Sequence, residues 1–244
     1  MKNTPAFFPA TFVTRYKRFF ADVLDQQGNL LTLHCPNTGS MKHCLVEGSP
    51  CWYSLSDNPK RKLPGTLEIV TTSYGALAGV NTSRPNHLAR EVIEAGLVPQ
   101  LQGYDQLRTE VRYGEEKSRI DLLLGTDDSD LGLCYVEVKN VTLDMGEGLA
   151  MFPDSVTSRG TKHLRELMAM VAAGHRAVLF FCVQLSGVER VEVAADIDPV
   201  YAATMAQAIA AGVEVVAWRA TLTPEEIRLQ GPVSCLQDLP MPAL

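Results

Sequence analysis

The chain has 244 residues, 46% of them hydrophobic, with a mean hydropathy near zero and a formal net charge of −6. That is an ordinary globular balance and enough chain for one large domain or two small ones. No apolar run approaches the ~20 residues needed to cross a bilayer, and Met1-Lys2-Asn3-Thr4-Pro5 lacks the apolar stretch of a secretory signal, so a cytoplasmic protein with no membrane partner is expected.

From the N-terminus to about Val80 the pattern is of short β-like segments: Thr11 to Tyr16, Phe19 to Leu24, Leu30 to Cys35, Cys51 to Leu55, Leu67 to Thr72 and Ala76 to Val80. Gly28, Pro36-Asn37, Gly48, Pro64-Gly65 and Gly75 punctuate them. Strands at this spacing predict a small closed β-barrel over residues 1–80, of the oligonucleotide-binding (OB) type that presents basic and aromatic side chains to nucleic acid. Arg15, Lys17 and Arg18, interleaved with Tyr16 and Phe19, are the candidate phosphate contacts. An acidic total does not exclude this, because phosphate binding depends on where Lys and Arg sit. His34-Cys35-Pro36-Asn37-Thr38-Gly39 reads as a strand ending in a tight turn, which places Asn37 and Thr38 as nucleic-acid contacts at the barrel mouth.

The six cysteines form no Cys-x-x-Cys pair, and reduced thiols are expected. His34, Cys35, His43, Cys44 and Cys51 are five potential zinc ligands in one stretch. Adjacent His-Cys pairs point to opposite faces of a strand, however, and the usual Cys spacing of zinc modules is missing, so structural zinc is not expected.

After Asn81 the period changes. Leu88, Val92 and Ala95 form a helical stripe that stops at Gly96. A strand around Val111 follows, then Ser118 to Leu124 and Tyr135 to Lys139, then a loop from Asp144 to Ser158. A second helix carries Leu164, Leu167, Met168 and Val171 and closes at Gly174. The run Ala177 to Val183 is a buried strand, Asp198-Pro199 caps a third helix ending before Gly212, and Val213 to Trp218 is a further strand. The order αβββαβαβ predicts, over residues 81–244, an α/β domain with a mixed central sheet and helices on its faces.

Two of these strands carry the chemistry. Alternation puts Glu137 and Lys139 on one face, roughly 7 Å apart, with Val136 and Val138 on the other. Asp121, on the neighbouring strand, can reach the same point. Two carboxylates and an ammonium at a sheet edge are the parts needed to hold a hard divalent cation, Mg²⁺ or Mn²⁺, and to activate water for phosphodiester hydrolysis. Asp121, Glu137 and Lys139 are the candidate catalytic residues; Asp121, Glu137 and the Val138 carbonyl are candidate ligands. The alternative at these positions is a cross-strand ion pair on a solvated face. Arg119, Lys162 and His163 are candidate contacts to the nucleic-acid backbone, the last two because they are expected to open the second helix, whose N-terminus favours phosphate.

From Glu91 to His163 the chain resembles the PD-(D/E)XK nuclease superfamily, whose core is a helix, a three-stranded meander, a helix and a further strand. The resemblance implies that Glu91 supplies the acid of the first helix and a metal ligand. A more specific likeness is carried by Arg15-Tyr16-Lys17-Arg18-Phe19, Leu33-His34-Cys35-Pro36-Asn37-Thr38-Gly39, Ser118-Arg119-Ile120-Asp121, Val136-Glu137-Val138-Lys139-Asn140-Val141-Thr142-Leu143, Phe152-Pro153-Asp154 and Arg159-Gly160-Thr161-Lys162-His163. These strings resemble the sugar fermentation stimulation protein (SfsA) family from about Arg15 to Trp218. That likeness implies DNA binding, an N-terminal OB barrel and a C-terminal nuclease-like domain. Two functions follow: a metal-dependent nuclease acting on DNA, single- or double-stranded, or a non-catalytic DNA-binding regulator of sugar-utilisation (maltose-type) genes that keeps the nuclease fold as a scaffold. The intact acid, acid-x-lysine set and the lack of a helix-turn-helix reader favour the first. A homo-oligomer is left open.

Overall fold

Near the N-terminus, burial alternates along the strands as a half-buried sheet requires: Ala21 and Val23 are buried while Asp22 between them is not. The computed structural model describes residues 6–126 and 131–235. Its first sheet comprises β1 (Phe8–Tyr16), β2 (Phe20–Leu24), β3 (Leu30–His34), β4 (Pro50–Leu55), β5 (Gly65–Thr71) and β6 (Leu77–Gly79), in the order β3-β2-β1-β4-β5-β6. A contact between β3 and β5, at His34 and Thr66, closes the first five strands into the expected barrel. Closure is tight at Gly65, where a Cβ would stand 2.3 Å from the Ser54 carbonyl oxygen, so only glycine fits.

The second domain contains α1 (Pro85–Glu94), β7 (Gln106–Tyr113), β8 (Ser118–Gly125), β9 (Cys134–Val141), β10 (Leu143–Asp144), β11 (Leu149–Phe152), α2 (Ser158–Ala172), β12 (Arg176–Val183), β13 (Arg190–Val193), α3 (Pro199–Ala210), β14 (Glu214–Leu222) and β15 (Ile227–Pro232). Its main sheet runs β15-β14-β12-β9-β8-β7, with β12 parallel to β9 and β14 and the remaining pairs antiparallel, which is the mixed sheet expected. Leu88, Val92 and Ile93 of α1 pack on one face with Val136, Val138 and Phe180. Leu164 and Leu167 of α2 and Tyr201 of α3 cover the other, with Leu179 and Phe181.

The structure departs from the sequence reading at several places, one of them being β13, a strand not expected between Val183 and Asp198. The segment expected to be a loop from Asp144 to Ser158 holds β11, which joins β10 and β13 in a small separate sheet. Strand β15 extends the main sheet beyond the last strand expected. Helix α2 starts a turn before Lys162, because the Thr157 side chain accepts the Gly160 N–H at 3.0 Å and caps it there. Lys162 and His163 therefore lie in its second turn and do not open the helix.

The expected boundary at 80/81 falls between β6 and α1, yet the two domains share material. One hydrophobic cluster runs from Phe12, Leu33 and Tyr53 in the barrel to Phe181 and Tyr201 in the second domain. Main-chain hydrogen bonds cross the boundary from Gly79 N to Gln184 O and from Ser186 N to Leu77 O. The buried Thr72 hydroxyl donates to Asp144 at 2.6 Å.

Candidate active site

The hydrogen-bonded ladder between β8 and β9 covers only Leu122 to Leu124 against Val136 to Cys134, and beyond it the strands part. Asp121 fills the gap. Its Oδ2 accepts the Val138 main-chain N–H at 2.8 Å, and its Oδ1 accepts from the Asn86 side chain of α1, also at 2.8 Å. Burial pushes the Asp121 carboxyl up to about 6, and the negative charge of Glu137 pushes the same way, against the smaller opposing effects of the Val138 N–H, Lys139 and Asn86.

Glu137 is 2% exposed. Its Oε1 accepts from Lys139 Nζ at 2.6 Å and from His163 Nδ1. Arg159 Nε approaches the other ring nitrogen, Nε2, at 3.4 Å. Lys139 Nζ also lies 3.0 Å from His163 Nδ1, so the carboxylate, the imidazole and the ammonium form one mutually contacting cluster. Burial alone would raise the Glu137 carboxyl; the Lys139 charge and the bonds from His163 and Lys139 outweigh it and hold the group below its ordinary value. Glu137 Oε2 is buried with no hydrogen-bond partner among the described residues. Such an atom costs free energy unless something else meets it.

Asp121, Glu137 and Lys139 are thus brought together, and His163 joins them from inside the fold, where its side chain faces Glu137 instead of solvent. Lys162 donates to the Glu116 carbonyl and ties α2 to the β7–β8 turn. Glu91 is exposed on α1, and the side chain of that helix which reaches Asp121 is Asn86. A cavity of about 330 Å³ opens beside Asp121, lined also by Asn86, His87, Arg90, Thr109 and Glu110. Sequence reasoning missed these residues. The one signal for Asn86 was its place directly after Pro85 in the first turn of a helix.

In the barrel, Lys17 and Arg18 form the β1–β2 turn with φ of 48° and 62°, both left-handed and both exposed. Arg15 acts differently, within the fold. Its Nη2 donates to the carbonyls of Asn37 at 2.7 Å and Gly39 at 3.1 Å, fixing the turn after β3. Asn37 is buried, accepts the Gly39 N–H, and lines a cavity of about 70 Å³ with Thr82, Asn140 and Asp154, whereas Thr38 is exposed. The five potential zinc ligands disperse: Cys35 Sγ lies against Met41 Sδ, Cys44 Sγ against the Thr142 carbonyl, and His43 stacks on Tyr74. All six cysteines are free and buried, and burial raises the thiols of Cys44, Cys51 and Cys134 to about 12.

An OB barrel welded to a mixed-sheet α/β domain, with an aspartate and a Glu-x-Lys gathered where two strands part, defines the class of protein. Residues 13–80 match the SfsA N-terminal OB domain, and residues 83–226 match the sugar fermentation stimulation protein RE domain. The chain is 56% identical to the sugar fermentation stimulation protein homolog of Saccharophagus degradans over 89% of its length and 92% of the relative's. It is 58% identical to the homolog of Teredinibacter turnerae over 93% and 95%. The structure of Pyrococcus furiosus SfsA in complex with Ca²⁺ has a TM-score of 0.85 to this fold at 27% identity, covering 97% of this chain and 98% of that one. The protein belongs to the sugar fermentation stimulation protein family. No helix among the described residues is long and apolar enough to cross a membrane.

Proposed function

We propose that this protein hydrolyses phosphodiester bonds in DNA with the help of a divalent cation, Mg²⁺ or Mn²⁺, and that the barrel recruits the DNA. The observation that carries the reading is the unpartnered, buried Oε2 of Glu137 beside an Asp121 whose own ionisation Glu137 opposes. Two carboxylates held this close repel one another, and a divalent cation is the group that relieves the repulsion and meets the orphaned oxygen. Among the described residues no three His, Cys, Asp or Glu side chains form a ready-made cage. Asp121 and Glu137 would therefore hold the ion with main-chain and water oxygens, the Val138 carbonyl being the nearest candidate in sequence. The Ca²⁺ complex of the Pyrococcus furiosus relative supports the choice of a hard cation.

The chemistry the ion supplies when bound is polarisation of the phosphoryl group and a lowered pKa for neighbouring water. The chain's own groups do the rest. Asn86 and the Val138 N–H fix the orientation of Asp121. His163 and Lys139 hold Oε1 of Glu137 and leave Oε2 to the site. The Lys139 ammonium places a positive charge where charge builds on the phosphoryl oxygens. Lys17 and Arg18 offer phosphate contacts at the barrel's edge, with Phe19, 47% exposed, beside them for base stacking.

The scaffold reading has one observation in its favour: both Asp121 oxygens already have protein partners. Cleavage of labelled single- and double-stranded DNA with Mg²⁺, Mn²⁺ or chelator separates the two. Metal-dependent product that disappears with chelator supports the nuclease, whereas DNA bound by the wild type but never cut with either metal gives the regulator its place.

A further inference from the structure

Arg112 on β7 and Arg119 on β8 are direct cross-strand partners. Like charges placed opposite each other on one face of an antiparallel pair destabilise it. Nothing in the protein offsets this pair: among the described residues neither side chain has a hydrogen-bond or ion-pair partner, and both are exposed. Lys117, also exposed and in the left-handed region at φ 57°, adds a third positive charge. The three line one open cleft of about 730 Å³ at the end of the β7–β8 hairpin.

None of the nearby acids among the described residues pairs with them: Glu166 of α2, the nearest to the cleft, is buried behind Gly114 and its Oε1 accepts the Glu116 N–H at 2.8 Å. Glu116 in the hairpin turn is held by Arg165 of α2 at 2.9 Å. Glu115 is exposed and does not line the cleft. Glu110, two residues before Arg112 and displaced from the regular strand by its φ of 54°, lines the neighbouring cavity and makes no ion pair with either arginine. Packing fixes the remaining relation: Val111 and Ile120 belong to the cluster on the α2 side, so Arg112 and Arg119 next to them point to the α1 side, from which Asn86 reaches Asp121. Glu110 and Asp121 are the positions bracketed by the Thr109–Leu122 and Val111–Ile120 pairs, one pleat before Arg112 and Arg119. The arginine pair therefore stands on the face of the sheet that carries Asp121, roughly 7 Å further along the strand.

We infer that Arg112, Arg119 and Lys117 form a phosphate-binding site that holds a backbone phosphate of the polynucleotide next to the one at Asp121. The inference rests on the proposed nucleic-acid substrate and locates a hold on it that is independent of the barrel. A tetrahedral phosphoryl anion suits two guanidinium forks facing each other, since each presents paired N–H donors in a plane. Bound phosphate would remove the repulsion that the free protein carries.

The test uses the full chain in chelator, with a fluorescent oligonucleotide and inorganic phosphate as separate probes. Arg112→Gln/Arg119→Gln should weaken oligonucleotide binding by about tenfold or more at moderate salt and lower the log-log salt slope by about two. The same variant should melt at a higher temperature than wild type, which excludes damage to the fold as the cause. Arg190→Gln/Arg228→Gln removes equal charge from β13 and β15 and should leave the slope unchanged. Equal loss in both double variants, or unchanged oligonucleotide affinity in the first, overturns the site while leaving the nuclease reading intact. Phosphate binding that disappears in the first variant, with no oligonucleotide bound by any form, overturns the polynucleotide as the source together with that reading. Binding of neither probe by wild type overturns both.

Discussion

Lys17 and Arg18 at the barrel's hairpin stand in water on a left-handed backbone, whereas Glu137 and His163 in the α/β domain are 2% and 5% exposed and touch one another. Exposed charges act through a screened field, each worth a fraction of a kcal/mol and nearly independent of the others. Buried ones depend on their partners, so removing one leaves the rest uncompensated. The same protein therefore has a region where charges act additively and are screened by salt, and a region where single changes have large effects.

The sharpest break in that contrast is catalytic. Asp121→Asn and Lys139→Ala should each lower cleavage by about 10² to 10⁴, the scale on which loss of a charge-stabilising or proton-transfer group appears. Metal-free DNA binding by Asp121→Asn should persist or strengthen, since a repelling charge is gone. Variants that cut at the wild-type rate would remove these residues from the site.

Next in size is a pH effect on folding in chelator. The Asp121 carboxyl is raised in the folded state to about 6 from 3.8, so between these values the folded protein binds more protons than the unfolded one. Its contribution to stability accordingly falls as pH rises through that window, by up to about 3 kcal/mol. Urea unfolding of wild type and Asp121→Asn at pH 4 and pH 7 should show the variant gaining relative stability at the higher pH; a constant difference would mean Asp121 is not strained by its surroundings. His163→Ala should cost about 2–3 kcal/mol in the same experiment, because Glu137 loses a donor while remaining buried.

Smaller effects belong to the barrel. Arg15→Ala should destabilise by about 1–2 kcal/mol, as the Asn37 and Gly39 carbonyls lose their donor. Arg18→Gly should do the opposite, stabilising the turn by about 1 kcal/mol because glycine adopts its φ of 62° without steric cost. Its salt slope for DNA binding should drop by about one. Lower stability and full affinity in Arg18→Gly would reverse the division drawn between Arg15 and Arg18.

Strand alternation and helix punctuation made the barrel, the mixed sheet and all three helices legible in the sequence. The Glu-x-Lys pattern together with Asp121 was legible for the same reason, since a period of two fixes which side chains share a face. What escaped was set by pairing between distant segments. Strand β11 is four residues among Gly146, Gly148 and Pro153, and nothing local marks it until β13 lies beside it. The Thr157 cap starts α2 at Ser158, so His163 falls in the second turn, and only the packing of α2 on the sheet brings its ring to Glu137. Glu91 and Asn86 differ by little more than one helical turn, and only the packing of α1 on the sheet decides that Asn86 meets Asp121.

The core common to the two domains has a consequence for how far apart things happen. Tyr53 and Tyr201 belong to one cluster, and Gly79 is stitched to Gln184 by main-chain bonds, so the barrel cannot swing on a tether. The separation between the Lys17-Arg18 turn and Asp121 is built in, like the gap between the fence and the blade of a saw. A strand gripped at one and severed at the other would be cut at a set offset from the grip, and its fragments would carry that length as a preferred size.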